Sequence, residues 1–196
     1  MATLDFWFDF ASSYSYPAAM RTQALAETHG VALRWRPFLL GPIFAAQGWT
    51  TSPFNLYPDK GRYMWRDLAR VCAKLSLPLK PPDPLPQNSL LAARVALAID
   101  ERRRAAFCRA VFHAEFGLGR RIDDFAVLQA LATDAGAPEA VEAASTDAVK
   151  LALREETGRA RELRLFGAPS FVAPDGELFW GNDRLDDALD YCERAG

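Results

Sequence analysis

The 196-residue sequence predicts an α/β fold in which a run of helices separates two groups of strands. Three observations predict it. Alternating segments near the N-terminus flank a helical one, a long stretch of helical spacing follows, and a hairpin with a closing helix comes last. The predicted order is therefore βαβ, a helical insertion, and then ββα.

The first group starts at Thr3–Phe10, where aromatic and acidic residues alternate with the period of a strand. Apolar residues then recur at helical spacing over Tyr16–His29, and Gly30 is a natural residue to end a helix. Val31–Phe38 alternates again and is predicted to be the second strand. A short βαβ crossover of this kind normally joins parallel strands.

The middle of the chain begins with Leu39–Lys60, which is rich in Gly, Pro and aromatic residues and lacks sustained periodicity. We predict a long loop there, and a loop of that length in a compact domain usually serves a function. Gly61–Glu162 is predicted to be helical almost throughout, with breaks at Leu77–Pro86 and Gly117–Gly119.

The last group is a hairpin and a helix. Ser170–Ala173 and Glu177–Trp180 flank a Pro-Asp-Gly turn, and Asp183–Arg194 has helical spacing. We assign residues 1–60 and 164–196 to one α/β domain, and residues 61–163 to a helical insertion domain.

Composition narrows the function. The net charge of −2 and the pI near 5.7 give no electrostatic reason to expect a nucleic-acid partner. No segment has the ~18 consecutive apolar residues of a membrane helix, and no signal peptide is visible. The spacing of Cys72, Cys108 and Cys192 fits neither a disulfide framework nor a metal site. We expect a cytoplasmic protein with free thiols, no bound metal and no membrane partner.

The first candidate site is the polar cluster Ser12–Ser15 before the first helix. A helix N-terminus presents unpaired N–H groups and a partial positive charge, so it stabilises anions such as a thiolate. Without a cysteine pair the cluster cannot exchange disulfides, but Ser12 could donate a hydrogen bond to the thiolate of a ligand. The alternative is that Ser12 or Ser13 only caps the helix.

The second candidate site is Pro169, which lies immediately before a predicted strand. In this order of elements it suggests a cis peptide after Ala168 that faces the first helix. An ordinary trans turn is the alternative, because only about one X–Pro bond in twenty is cis. A cis bond would turn the N–H and C=O of Ala168 outward, where an extended peptide such as glutathione could pair with them.

The third candidate site is the Asn182-Asp183 pair before the last helix. Either residue could simply cap that helix. The functional alternative is that this helix start holds the α-amino and α-carboxylate groups of a γ-glutamyl moiety, with Asp183 facing the ammonium.

Together these segments resemble the 2-hydroxychromene-2-carboxylate isomerases, relatives of the kappa-class glutathione transferases in the DsbA-like branch of the thioredoxin fold. The resemblance spans essentially the whole chain. Five strings carry it: DFWFDFASSYSY at 5–16, RPFLLGPIF at 36–44, KGRYMWRDL at 60–68, FGAPSF at 166–171 and FWGNDRLDDAL at 179–189. It implies a thioredoxin-like fold with an all-helical insertion, a homodimer, and glutathione as a reusable cofactor.

The resemblance also implies a role for each matching residue. Ser12 is the catalytic residue and contacts the glutathione sulfur, while Lys60 contacts the glycyl carboxylate. The remaining glutathione-binding residues that it implies are Asn55, Ala168, Pro169, Asn182 and Asp183. One departure is that the family usually has proline after the serine, where this chain has Ser13, a second hydroxyl that could compete for the sulfur.

The implied reaction interconverts a chromene carboxylate and an open-chain benzylidenepyruvate in aromatic catabolism. An apolar cleft for this flat aromatic acid would be lined by Phe44, Trp49, Phe54, Tyr57 and Trp65. The rival functions are a kappa-type glutathione transferase or peroxidase, a disulfide oxidoreductase, and a thiol-binding module without activity.

Overall fold

A four-stranded mixed sheet forms the centre of the computed structural model, which describes residues 2–195. Its strands are β1 (Thr3–Phe8), β2 (Ala32–Pro37), β3 (Ser170–Val172) and β4 (Leu178–Trp180). They lie in the order β2-β1-β3-β4, with β1 and β2 parallel and both other pairs antiparallel. The predicted βαβ unit and C-terminal hairpin are therefore confirmed.

The helix α1 (Ser15–Thr28) connects β1 to β2 and ends before Gly30, whose φ of 63° few other residues adopt. The other helices are α2 (Leu40–Ala46), α3 (Pro53–Leu56), α4 (Pro58–Lys74), α5 (Leu90–Ala98), α6 (Glu101–Phe112), α7 (Phe125–Asp134), α8 (Ala140–Ala143), α9 (Asp147–Glu162) and α10 (Leu185–Ala195). A π-helical turn, His113–Gly117, extends α6, and a 3₁₀ turn, Asn182–Arg184, precedes α10. None of the helices in the described part of the chain has the length and apolar character needed to cross a membrane.

The predicted loop over Leu39–Lys60 is wrong, because this segment contains α2, α3 and the first turn of α4. Helices of four to seven residues are too short to show a period. Their signals are local instead: the Ser52 hydroxyl accepts the N–H of Phe54, and prolines occupy the first turns of α3 and α4.

Alternation along β1 places aromatic side chains on both faces of the sheet. Phe6 and Phe8 belong to the main core, whereas Trp7 packs on the other face against Phe38. Phe112 of α6 lies 5.6 Å from the ring of Phe8, so the helical insertion shares one core with the sheet. The proposed domain limits at residues 60 and 164 stay a prediction.

Candidate active site

The loop between β1 and α1 is held by the buried carboxylate of Asp9. Its two oxygens accept the N–H of Ala11 at 3.0 Å and the N–H of Leu40 at 2.7 Å. The Asp9 carbonyl also accepts the N–H of Ser12 at 2.9 Å. Because Asp9 is only 4% exposed, water competes little for these bonds, and the loop presents Ser12 at the start of α1 in a fixed geometry.

Neither serine at this position caps the helix. The Ser12 hydroxyl donates to the carbonyl of Ala168 at 2.8 Å, and the buried Ser13 hydroxyl donates to the sulfur of Met64 at 3.0 Å. The residue at the N-cap is Tyr14, which makes no capping bond with its side chain. Within residues 2–195 the N–H groups of Ser13 and Tyr14 meet no acceptor, so the start of α1 keeps free donors for an anion.

The proline loop lies against Ser12. The Ala168–Pro169 peptide is cis, as predicted, and the Ala168 carbonyl faces the Ser12 hydroxyl. The Pro169 carbonyl accepts the N–H of Gly181 at 3.0 Å. These two hydrogen bonds bring three segments that are far apart in sequence to one place: the start of α1, the proline loop and the turn before α10.

In the turn before α10, neither Asn182 nor Asp183 accepts a backbone hydrogen bond with its side chain among the described residues, although Asp183 pairs with Arg184 at 3.5 Å. Oδ1 of Asn182 is buried and has no partner among the described residues, whereas its amide nitrogen is not buried. The side chain of Asp183 is 73% exposed, and among the described residues no backbone N–H bonds to it. Capping of α10, the simpler explanation of both residues, is therefore not what the structure shows.

Gly181 shapes this turn. Its φ is 119°, and a Cβ there would lie 2.5 Å from Oδ1 of Asp183. Only glycine combines that conformation with that close approach.

An open cleft of about 340 Å³ lies beside the start of α1. Its lining residues are Tyr14, Phe54, Asp59, Lys60, Tyr63 and Met64. Lys60 and Phe54 were anticipated from the sequence, whereas Tyr14, Tyr63 and Met64 were missed. The signal for Tyr63 and Met64 was their spacing of three and four residues from Lys60, which puts them near Lys60 on one helix face. A larger depression, of about 590 Å³, lies at Leu33, Asp100, Glu101 and Arg102, away from every predicted site residue.

The other aromatic residues predicted for the cleft do not line it. Phe44 and Trp49 pack on each other with ring centroids 5.6 Å apart, and Trp65 packs against the main core. Tyr57 instead carries the Lys60 ammonium over its ring at 4.8 Å. Asn55 is exposed, donates to Thr51 at 3.1 Å and also lies outside the lining.

Tyr14 forms part of the cleft wall, is held there by a hydrogen bond and is uncharged. Its hydroxyl donates to Asp67 of α4 at 2.8 Å. Burial, and then the Asp67 carboxylate, raise the pKa of Tyr14, and Asp183 contributes to the same shift. The phenol therefore stays protonated at physiological pH.

A second buried acid lies beneath the loop. Glu115 of the π-helical turn is fully buried, and neither of its carboxyl oxygens has a partner in the described structure. Burial, and then the charge of Asp9, raise its pKa well above the ordinary value. Burial also raises the pKa of Asp9, but the N–H groups of Leu40 and Ala11 and the Ser89 hydroxyl oppose that shift. Hydrogen bonds therefore favour the charged form of Asp9, whereas Glu115 receives none among the described residues.

The chain's own cysteines are free, as predicted, and are all buried. Burial raises the pKa of Cys72 to about 11 and also raises the pKa values of Cys108 and Cys192. A buried thiol of this kind is a poor nucleophile at neutral pH. A thiolate at this site would therefore have to come from a ligand.

Three potential metal ligands meet at the far end of α1, where His29, Asp190 and Glu193 bring their ligand atoms within 4.8 Å of one another. Nδ1 of His29 lies 2.7 Å from the Glu193 carboxylate. Both acids are exposed, so a surface ion pair accounts for the group.

Comparison with known proteins shows which family this chain belongs to. A family model described as the DSBA-like thioredoxin domain matches residues 3–193. The 2-hydroxychromene-2-carboxylate isomerase of Sphingobium xenophagum is 32% identical over 187 residues, which cover 94% of each chain. The chain belongs to the 2-hydroxychromene-2-carboxylate isomerase family, within the DSBA-like thioredoxin domains.

Structure agrees with sequence on this family. The solved structure of a 2-hydroxychromene-2-carboxylate isomerase superposes with a TM-score of 0.87 at 30% identity, covering 98% of this chain and 95% of the other. The glutathione S-transferase kappa 1 of Caenorhabditis elegans is 30% identical, over 93% of this chain and 87% of the relative. The predicted thioredoxin-like fold and family are therefore confirmed.

Proposed function

We propose that this member of the isomerase family interconverts 2-hydroxychromene-2-carboxylate and trans-o-hydroxybenzylidenepyruvate-type acids with bound glutathione as cofactor. The observation that carries the proposal is the pairing of the Ser12 hydroxyl with the Ala168 carbonyl at an uncapped helix start. The Ser12 hydroxyl is a hydrogen-bond donor and the Ala168 carbonyl is an acceptor, and among the described residues each has only the other as its partner. The cysteinyl residue of glutathione requires one of each, a donor for its thiolate and an acceptor for its N–H.

Binding would exchange this hydrogen bond for two others. The Ser12 hydroxyl has one proton, so donating it to a sulfur anion releases the Ala168 carbonyl. That carbonyl can then accept the cysteinyl N–H. The free N–H groups of Ser13 and Tyr14, together with the dipole of α1, favour the charged form of the sulfur.

The turn before α10 offers the complementary pair of groups for an α-amino acid. The accessible amide nitrogen of Asn182 is a donor for a carboxylate, and the exposed Asp183 carboxylate is an acceptor for an ammonium. Both belong to the turn that hydrogen-bonds to Pro169, so the γ-glutamyl end would lie next to the cysteinyl end.

The cleft would take the aromatic acid. Phe54, Tyr14 and Tyr63 supply apolar surface, and Lys60 of α4 supplies a positive charge for a carboxylate. The resemblance assigns Lys60 to the glycyl carboxylate of glutathione, and its position at the cleft is compatible with that role.

When bound, glutathione would supply a thiolate that can add to the conjugated carbon and leave again, with the electron pair of the double bond held meanwhile on the conjugated carbonyl, so that the bond between the two carbons can rotate. Ser12 and the free N–H groups stabilise the sulfur charge before addition and after elimination. The buried Asp9 keeps these groups in place throughout, because its hydrogen bonds hold the loop. Glutathione is regenerated, which makes the net reaction an isomerisation.

The main alternative is a kappa-type transferase or peroxidase, which the similarity to the nematode enzyme supports. It would use the same glutathione site but release a conjugate or oxidised glutathione. A cysteine-based disulfide oxidoreductase would need an accessible thiol, and the three cysteines of this chain are buried. A thiol-binding module would bind glutathione without converting any substrate.

The test is to incubate the protein with 2-hydroxychromene-2-carboxylate, with and without glutathione, and to analyse the products by mass spectrometry. We expect an isomer of unchanged mass, formed only with glutathione, while the glutathione concentration stays constant. A stable conjugate would favour the transferase, and tight glutathione binding without turnover would favour the binding module.

The same proposal includes a cytoplasmic location, which is compatible with the free thiols, and a homodimer.

A further inference from the structure

Arg21 links the sulfur-binding helix to the turn before α10. It lies on α1, and its Nη2 donates to the main-chain carbonyl of Asn182 at 2.5 Å. Its Nη1 pairs with the Asp186 carboxylate at 2.9 Å. The Arg21 side chain is only 21% exposed, and its contact with the Asn182 carbonyl is partly buried, whereas the Asp186 side chain is 59% exposed and its ion pair with Arg21 lies at the surface.

The contact with Asn182 is specific to the turn and is not needed to hold α10. That helix is already fixed by four fully buried side chains: Leu185, Ala188, Leu189 and Cys192. Gly181 is fixed by its hydrogen bond to Pro169, and Arg184 closes the turn by donating to the Gly181 carbonyl. Asn182, between them, is held by Arg21.

Charge gives Arg21 a second effect on the same turn. Three carboxylates, those of Asp183, Asp186 and Asp187, surround the start of α10, and Arg184 pairs with the first and third. A ligand carboxylate would be repelled by this group. The guanidinium of Arg21 offsets the charge of Asp186, the one of the three carboxylates that Arg184 does not pair with among the described residues.

We propose that Arg21 is a positioning residue for γ-glutamyl recognition: it fixes the Asn182 carbonyl, so that the Asn182 amide and the Asp183 carboxylate are presented to the ligand. The inference rests on the proposed function. Ser12 lies just before α1 and Arg21 lies halfway along it, so this half of the helix sets the separation between the sulfur site and the γ-glutamyl site.

The test compares two thiol ligands, glutathione and cysteinylglycine, which lacks the γ-glutamyl group. Arg21→Met should weaken glutathione binding about tenfold or more, the usual effect of losing a charge-assisted hydrogen bond. Its affinity for cysteinylglycine should stay within about twofold of wild type, because that ligand does not reach the turn. The turnover number at saturating glutathione should change little, since Ser12 is untouched. Calorimetry and steady-state kinetics measure these quantities.

Two further variants separate the possible causes. Arg34→Met removes an arginine that pairs with Asp5 at 2.6 Å on the other side of the sheet, and it should leave both affinities unchanged. Asp186→Asn removes the ion pair but keeps the bond to Asn182, and it should have a smaller effect on glutathione than Arg21→Met. If Asp186→Asn reproduced the full loss, anchoring of α10 would be the cause and the proposal would be overturned.

The remaining outcomes are equally decisive. If Arg21→Met weakened both ligands alike, or left the preference for glutathione intact, Arg21 would have no role in γ-glutamyl recognition. If wild type itself showed no preference, the proposed γ-glutamyl site would fail and this inference with it. Should Arg21→Met not fold, Arg21→Lys decides: it must lose part of the preference for glutathione while binding cysteinylglycine normally.

Discussion

The loop that presents Ser12 and the wall of the cleft formed by Asp59, Lys60 and Tyr63 of α4 are built in contrasting ways. In the loop, the side chains of Asp9 and Ser13 are buried, and the polar groups that orient Ser12 have partners at 2.7–3.0 Å. In the wall, Asp59 and Lys60 are exposed, and Tyr63 is 59% exposed. Under the proposed function, this contrast means that the sulfur end of the site is fixed before a ligand arrives, whereas the substrate end can vary without disturbing the fold.

The largest effect should follow from removing the Ser12 hydroxyl. Ser12→Ala deletes one donor to the sulfur anion, which typically costs about 3 kcal/mol, or roughly a hundredfold in turnover. The measurement is the turnover number at saturating glutathione. Ser13→Ala is the matched control: its hydroxyl bonds to Met64, so we expect turnover within a few-fold of wild type. Equal losses in both variants would break the distinction between the two serines.

The buried side of the comparison can be tested through Glu115. In the unfolded chain this acid ionises near its ordinary pKa of 4.5, whereas in the folded protein burial raises its pKa. Between these two values the folded state binds one more proton, so stability falls as pH rises, by roughly 1.4 kcal/mol per pH unit. Glu115→Gln is neutral at every pH and removes this loss.

Thermal unfolding between about pH 5 and pH 8 measures the effect. The melting temperature of Glu115→Gln minus that of wild type should increase as pH rises. Glu155→Gln, on the exposed face of α9, should follow the wild-type curve in parallel. A difference in melting temperature between Glu115→Gln and wild type that did not change with pH would mean that Glu115 does not bind the additional proton in the folded state.

Substitutions in the exposed wall should change the kinetics less than Ser12→Ala does. Lys60→Met removes a charge that lies in high dielectric over the Tyr57 ring, and such charges contribute about 1 kcal/mol or less. We expect the Michaelis constant for glutathione or for the acid to rise about threefold to fivefold, and less in high salt. Which of the two constants changes shows which carboxylate Lys60 binds. A hundredfold effect would mean that the wall is as preorganised as the loop.

The smallest effect should come from Asn55. Its amide is exposed, bonds to Thr51 and lies outside the cleft lining, so Asn55→Ala should change either Michaelis constant by less than about twofold. A larger change in steady-state kinetics would show that α3 moves toward the ligand.

The same contrast explains what the sequence could predict. The alternation of β1, the polar cluster at Ser12 and the Gly-Asn-Asp turn are local patterns, and each was recognised from neighbouring residues. A cleft was predicted, but most of its lining was not, because the lining depends on contacts such as Ser13 to Met64 and Tyr14 to Asp67, which are 51 and 53 residues apart. Glu115 was missed for a related reason: a glutamate in a helical run normally faces solvent, and only the packing of the π-helical turn buries it.

The most direct test of the account is a structure of the protein with glutathione. We predict the sulfur within hydrogen-bonding distance of Ser12 Oγ, the cysteinyl N–H on the Ala168 carbonyl in place of the Ser12 hydroxyl, and the ammonium at Asp183. A thiol found elsewhere while Ser12 remains bonded to Ala168, or no binding at high concentration, would contradict it.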